Sequence, residues 1–202
     1  MIYEELAMGV RKYKTPKDKS SSLISEIENL LSGNLGITWQ PSKILKGTPE
    51  NAQYVVDTEF RYNVFFWLNP EHPHEKYSEL TKKKMWELDS SIKQATQECL
   101  KNYLDDNGVT LSFQEPFELL KYTENNHLSW HTDDGSSNRS RVSLLYYLND
   151  EYSGGELEFK NLNLTYKPEA GDLLIFPSSF IYRHRVHKVT DGTRYVIVDF
   201  MG

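Results

Sequence analysis

The sequence predicts a mainly β fold with helices ahead of it: a jelly-roll or barrel in the C-terminal half of one domain. Three observations predict it. From about Thr110 onward, short segments rich in Leu, Tyr, Val, Ile and Phe alternate with turn signals at a regular pitch. Before that point, apolar residues recur at intervals of three and four, the spacing of one helix face. The 202 residues carry 38% hydrophobic and 26% charged side chains, which suits one soluble core. The expectation is therefore a single domain over 1–202, with 1–109 a helical supporting region and 110–202 the jelly-roll core.

Taken in order, Lys14-Thr-Pro-Lys-Asp-Lys-Ser-Ser-Ser22 is charged and then serine-rich and reads as a loose lead-in. Leu23, Ile27, Leu30 and Leu31 then mark a short helix, with Gly33 as its stop. After the loop Asn69-Pro-Glu-His-Pro-His74 comes a longer helix. Its apolar stripe is Met85, Leu88, Ile92, Ala95, Cys99 and Tyr103, and Asn107-Gly108 ends it. Lys82, Lys83 and Lys84 lie off that stripe, on a solvated face. Strands are expected at 117–122, 127–132, 142–148, 156–159, 162–166, 172–176, 182–189 and 194–200. Turn signals stand at Asp134-Gly135, Ser153-Gly154-Gly155, Pro168-Glu169-Ala170-Gly171 and Asp191-Gly192.

Composition excludes several classes. Thirteen tyrosines, nine phenylalanines and four tryptophans exclude long intrinsic disorder. No run reaches the roughly 18 apolar residues of a membrane span. Met1-Ile-Tyr-Glu-Glu lacks the layout of a signal peptide, and the single cysteine, Cys99, closes no intrachain disulfide. Both point to a reducing, cytoplasmic setting, with Cys99 a small core residue. A net charge of −6 argues against nucleic acid or an anionic membrane as a partner, although Arg183, Arg185 and Lys188 form a local basic strip.

The chemistry begins at Trp130-His131-Thr132-Asp133. On a strand, His131 and Asp133 share a face and Thr132 points away. An imidazole beside a carboxylate supplies two metal ligands. The third is expected from a strand packed nearby, where His184 and His187 sit an odd number of positions apart, so only one can join. Two histidines and a carboxylate on one face, with open positions left over, make the facial triad of non-haem Fe(II) sites. With no second thiolate and no carboxylate cluster, structural zinc and calcium are poor fits. Arg194, in the last expected strand, is a bidentate cation suited to the far end of a dicarboxylate. Tyr147 and Tyr122 can add a hydroxyl to the same carboxylate.

These residues fall within a longer pattern. Tyr122 precedes His131-x-Asp133 by nine residues, and Arg141-Val-Ser-Leu-Leu-Tyr-Tyr-Leu-Asn-Asp150 follows. Then come Gly154-Gly-Glu-Leu-Glu-Phe159, Lys167-Pro-Glu-Ala-Gly-Asp-Leu-Leu-Ile-Phe-Pro177 and His184-Arg-Val-His-Lys-Val-Thr-Asp-Gly-Thr-Arg194. From about Phe117 to Phe200 the chain resembles the prolyl 4-hydroxylase-like branch of the Fe(II)/2-oxoglutarate dioxygenases.

The resemblance implies a double-stranded β-helix with the N-terminal helices packed on one sheet. It selects His184 as the third ligand and turns His187 outward. It implies Fe(II) on His131, Asp133 and His184, and 2-oxoglutarate on Arg194 with Tyr147 and Tyr122. O2 is the oxidant and ascorbate a reductant, and no catalytic residue is needed beyond the metal centre. The implied reaction hydroxylates a C–H bond, in first place of a prolyl residue in a peptide or protein, and yields succinate and CO2. Arg141, Trp130 and Arg61 are the residues it suggests for substrate, and Arg139 flanks the same loop. The chain departs from the collagen-type pattern at Leu128, Arg194 and Phe200, where those enzymes carry Tyr, Lys and Trp. Leu128-Ser-Trp-His-Thr-Asp-Asp134 also resembles the AlkB-like nucleic-acid demethylases. Those carry a second arginine six residues after the first, where this chain has Phe200. A hydroxylase of free amino acids or other small molecules is the remaining alternative. A jelly-roll with a decayed site is disfavoured, because all three ligands and the cation are present. His72-Pro-His74-Glu75, in a proline-broken loop, reads as solvated.

Overall fold

The computed structural model describes residues 2–48, 51–72, 77–134 and 140–202. The chain opens with a hairpin of β1 (Glu4–Ala7) and β2 (Val10–Lys14), followed by helix α1 (Lys17–Leu30). Short strands β3 (Gln40–Pro41), β4 (Ile44–Lys46), β5 (Gln53–Val55), β6 (Arg61–Tyr62) and β7 (Val64–Trp67) lead to helix α2 (Glu79–Asn107). Then come β8 (Glu118–Tyr122), β9 (His127–His131), β10 (Val142–Tyr147), β11 (Tyr152–Gly154) and β12 (Leu157–Phe159). The chain closes with β13 (Leu164–Tyr166), β14 (Asp172–Pro177), β15 (His184–Val186), β16 (Val189–Gly192) and β17 (Arg194–Met201).

The main sheet runs β1-β2-β14-β10-β17-β8-β7-β3, and a smaller one runs β13-β12-β15-β9-β6. Their facing sides make the double-stranded β-helix. Strand alternation splits the apolar residues into two cores. Leu144, Tyr146, Leu173, Ile175 and Ile197 meet Leu23 and Ile27 of α1 and Met85, Leu88 and Ile92 of α2. Leu120, Leu145, Leu174, Val196 and Val198 meet Leu128, Leu157, Phe159 and Val186 of the smaller sheet. β10 is buried along its whole length because both of its faces are covered. The α2 stripe read from the sequence is the face that packs, Cys99 included. Ser78 caps that helix by accepting the Thr81 N–H at 3.1 Å, and Gly108 closes it at φ 61°. Among the described residues, no helix is long and apolar enough to cross a membrane.

The structure corrects the sequence reading in three places. The region 1–109 is not simply helical. It supplies β1, β2, β3 and β7 to the main sheet and β6 to the smaller one. β1 and β2 hide behind their charges, because Glu4 and Lys12 face each other across an edge and form an ion pair. The segment 14–22 is not a loose lead-in either. Lys14 ends β2, and α1 begins at Lys17 directly after Pro16, whose fixed φ suits a helix start. Ser20 and Ser21 turn their hydroxyls back onto the Lys17 carbonyl, at 2.9 and 3.1 Å. Lastly, the expected strand 182–189 is broken. A 3-10 turn (Phe180–Tyr182) precedes β15, and after a bend the chain leaves the smaller sheet to pair β16 with β11. Asp191-Gly192 thus ends a strand. Gly154 permits that pairing, since a Cβ there would lie 2.1 Å from the Lys188 carbonyl oxygen. Gly135, Arg139, His74 and Glu75 lie outside the described residues.

Candidate active site

The structure brings His131, Asp133 and His184 together, with one ligand atom from each within 4.8 Å of the others. His131 and His184 stand opposite each other on β9 and β15, their ring centroids 4.2 Å apart. Asp133 Oδ1 lies 3.4 Å from His131 Nε2 and 3.9 Å from His184 Nε2. The strand stops at His131, so Asp133 comes in from the bend that follows. A β-bulge precedes it. Leu128 pairs with Val186 and His131 with His184, so three steps along β9 match two along β15. That is why Leu128 and His131, an odd number of residues apart, both face inward.

Each ring is oriented by backbone. His131 Nδ1–H donates to the Ser129 carbonyl at 2.9 Å and His184 Nδ1–H to the Tyr182 carbonyl at 3.0 Å, so both Nε2 atoms are left as lone-pair donors. Burial first, and the nearby His131 second, push His184 down to about 4, which keeps it neutral at pH 7. Burial alone would raise the Asp133 carboxyl, but the two imidazoles and the Ser143 hydroxyl hold it at about 2. Phe159 and Phe176 pack on the His184 ring, with centroids 5.5 and 5.3 Å away. Two imidazoles and one carboxylate suit a divalent transition metal.

Arg194 opens β17 and is 1% exposed. Its guanidinium lies 4.7 Å from the Tyr122 ring and 5.0 Å from the Tyr147 ring. Burial works against the charge, yet the oxygens of Tyr147, Tyr152 and Tyr122 outweigh it, and the net shift is upward. Among the described residues, Nε and Nη1 of Arg194 make no hydrogen bond, and neither do the buried hydroxyls of Tyr147 and Tyr152. Native interiors rarely leave such groups unpaired. Two hydroxyls beside two N–H groups of one buried cation suit a carboxylate. On β10, Ser143 contacts Asp133 and Tyr147 packs against Arg194, and the two residues share one face with Leu145 between them. The cluster and the cation thus open onto the same inter-sheet interior.

Residues 117–202 match the sequence profile of the 2OG-Fe(II) oxygenase superfamily. That match takes in His131, Asp133, His184 and Arg194 and covers less than half of the chain. Over 67 residues the chain is 46% identical to a PKHD-type hydroxylase of Rippkaea orientalis, a match that covers 31% of this chain and 29% of that one. A Pseudomonas putida prolyl-4-hydroxylase shares the fold with a TM-score of 0.67 at 18% identity, over 96% of this chain and 91% of that one. A Trichoplax adhaerens prolyl hydroxylase in complex with a hypoxia inducible factor peptide fragment gives 0.65 at 16%, over 96% and 83%. The chain spans between 29% and 59% of the length of the curated relatives it matches.

The three residues suggested for substrate make different contacts. Arg61 is half-buried between Asn63 (Nε to Oδ1, 3.1 Å) and Glu118 (Nη2 to Oε2, 3.3 Å). Trp130 lies under two cations, Arg185 at 4.6 Å and Lys160 at 5.8 Å. Since Arg185 alternates with His184, that stack is on the outer face of the smaller sheet. The structure does not bring Arg141 to the cluster. Its Nη1 donates to the Thr110 carbonyl at 2.8 Å, and it lines a separate cavity of about 450 Å³ with Tyr103, Val142 and Tyr182. His187 points outward and meets Glu158 Oε2 at 2.6 Å. Sequence reasoning missed Tyr152, Ser143 and Ser178. Ser143 was within reach, since it alternates with Leu145 and Tyr147 on one strand face.

Proposed function

We propose that this chain is an Fe(II)- and 2-oxoglutarate-dependent hydroxylase that acts on a prolyl residue of a peptide or protein. The observation that carries the reading is Arg194, a buried cation with unpaired N–H groups and unpaired tyrosine hydroxyls around it, opening onto the same interior as the His131–Asp133–His184 cluster. His131, Asp133 and His184 would hold the metal, and Arg194 with Tyr147, Tyr152 and Tyr122 would hold the distal carboxylate of the cosubstrate. Bound there with O2, Fe(II) and 2-oxoglutarate supply oxidation of C–H to C–OH, coupled to formation of succinate and CO2.

The protein's part is binding and exclusion. Arg194 fixes the length and orientation of a dicarboxylate through a paired, charge-assisted contact out of water. Leu145, Leu157, Phe159, Leu174 and Phe176 wall the space between the sheets and keep solvent away. The histidines and Asp133 hold no proton at the atoms facing the metal, so no side chain has to act as acid or base. A prolyl substrate is supported by the PKHD-type and prolyl hydroxylase relatives, and a peptide by the Trichoplax complex.

The test is to incubate the Fe(II)-reconstituted chain with 2-oxoglutarate and, separately, proline-containing peptides, free amino acids and methylated oligonucleotides. Succinate and substrate mass are then followed together. Succinate rising with a peptide that gains one oxygen supports the reading. Turnover only with oligonucleotides, or only with free amino acids, replaces it with the corresponding alternative.

A further inference from the structure

We propose that Ser143 and Ser178 are positioning residues that restrict Asp133 to a single ligand oxygen. The two oxygens of Asp133 are not equivalent. Oδ1 faces the imidazoles, whereas Oδ2 accepts the Ser143 hydroxyl at 2.6 Å. Ser143 Oγ in turn lies 2.9 Å from Ser178 Oγ. A hydroxyl has one proton and a carboxylate has none to give. Ser143 therefore spends its proton on Asp133, and Ser178 must donate to Ser143. This makes a one-way relay, Ser178 to Ser143 to Asp133.

The relay is rigid. Ser143 and Ser178 are 0% and 1% exposed. Ser143 sits in the second position of β10, paired to Phe176 on one side and Phe200 on the other. Ser178 is pinned by its own N–H, which donates to the Arg141 carbonyl at 3.0 Å. Two hydroxyls buried beside apolar strands are costly unless they are hydrogen-bonded, and here their bonds end on the metal-facing carboxylate.

The chemical consequence concerns the count of donor atoms. With Oδ2 engaged, Asp133 offers one oxygen, and the three side chains offer three donors in total. An octahedral ion then keeps three positions, which a bidentate oxo-acid and one further small ligand together require. Were Oδ2 free to chelate as well, only two would remain. The serines thus guard an open position without touching the metal.

The inference rests on the metal reading above, so the wild-type chain is tested first for binding of Mn(II) and Co(II) without substrate. No binding by wild type would overturn that reading and this one with it. Given binding, Ser143→Ala is expected to lower Mn(II) affinity about 10–100-fold. It should also shift the Co(II) visible spectrum, because the freed Oδ2 would take a position that solvent holds in the wild type. Ser143→Thr, which keeps the hydroxyl, should restore the wild-type spectrum. Ser178→Ala, which does not touch Asp133, should shift it in the same direction by less. A merely structural serine would lower the melting temperature of the metal-free chain and leave the Co(II) spectrum as it was, and that result would overturn the proposal. Should Ser143→Ala fail to fold, the spectrum of Ser178→Ala decides: a shift supports the relay and an unchanged spectrum overturns it.

Discussion

β17 carries a buried ionisable residue on each face, and the two differ in their company. Arg194 points between the sheets, where its unpaired N–H groups converge with the hydroxyls of Tyr147 and Tyr152. Asp199 points toward the helices, on the side of Ile197 and Met201. One of its oxygens accepts the Gln114 amide at 2.6 Å and the other has no partner among the described residues. Burial first, with Asp89 and Glu115 adding to it, raises the Asp199 carboxyl to about 7. Several unpaired groups that converge describe a ligand. A lone unpaired oxygen describes a local cost to stability. Emptying the inter-sheet face of polar groups should therefore cost binding, and changing the helix-side face should alter folding.

The sharpest break would come at the cluster. His184→Ala or Asp133→Ala should abolish Mn(II) binding while the metal-free melting temperature changes little, and His187→Ala should retain the metal. Loss of metal in His187→Ala alone would reverse the assignment of the third ligand.

Next in size is Arg194. Taking one partner from a buried ion pair costs about 3–5 kcal/mol, so Arg194→Ala should weaken 2-oxoglutarate binding by roughly two to four orders of magnitude. Calorimetry on the Mn(II)-loaded chain reads this directly, and Mn(II) affinity itself should hardly move. Arg194→Met, which keeps the volume and drops the charge, should raise the melting temperature of the ligand-free chain, because an unpaired buried cation opposes folding. A fall in both quantities would make Arg194 structural and remove the contrast with Asp199.

Asp199 gives the complementary result. Its folded pKa of about 7 lies above the value of 3.8 taken for the unfolded chain, so the folded state holds a proton that the unfolded state releases. The associated stability is complete below about pH 4 and drains away as the pH rises through about 7, for a total near 4 kcal/mol. Chemical unfolding from about pH 4 to about pH 8 should show this decline in the wild type and lose it in Asp199→Asn. A wild type without the decline would mean that the unpaired oxygen finds a partner in solution.

The smallest effect is expected from the tyrosines. Tyr147→Phe and Tyr152→Phe each remove one neutral donor, worth about 1 kcal/mol, or roughly fivefold in 2-oxoglutarate affinity. Equal losses would show that both hydroxyls reach the carboxylate. An effect from Tyr147 alone would leave Tyr152 as packing for Arg194.

Much of this was legible because the informative residues are local in sequence. His131 and Asp133 are two apart, and the block from His184 to Arg194 carries one histidine of the cluster on β15 and the buried cation on β17. Helix α2 declared itself through one unbroken stripe and a terminal glycine. What stayed hidden depends on partners far along the chain. β2, β6 and β7 are short or charged, and they become strands only against β14, β9 and β8. Tyr152 and Ser178 lie outside the alternation that marks the central strands, so nothing in their neighbourhoods assigns them to the interior. The break after Val186 was invisible for a related reason. Residues 182–189 read as one strand with no turn signal inside it, and only the approach of Gly154 to the Lys188 carbonyl shows where the chain changes sheets.

The carbonyls that receive the histidine protons have a consequence for how this site tolerates change. Both belong to the residue two positions before the ring they hold, Ser129 for His131 and Tyr182 for His184. Every amino acid, proline included, brings a carbonyl to such a position, so no exchange of side chain at 129 or 182 can delete the acceptor. The tautomer of each imidazole is thereby heritable with the path of the main chain rather than with the identity of a neighbour. The aim of the Asp133 carboxylate has no such insurance, since it hangs on hydroxyls that a single codon change can remove. A drifting lineage of this chain would keep its histidines poised long after its carboxylate had begun to wander.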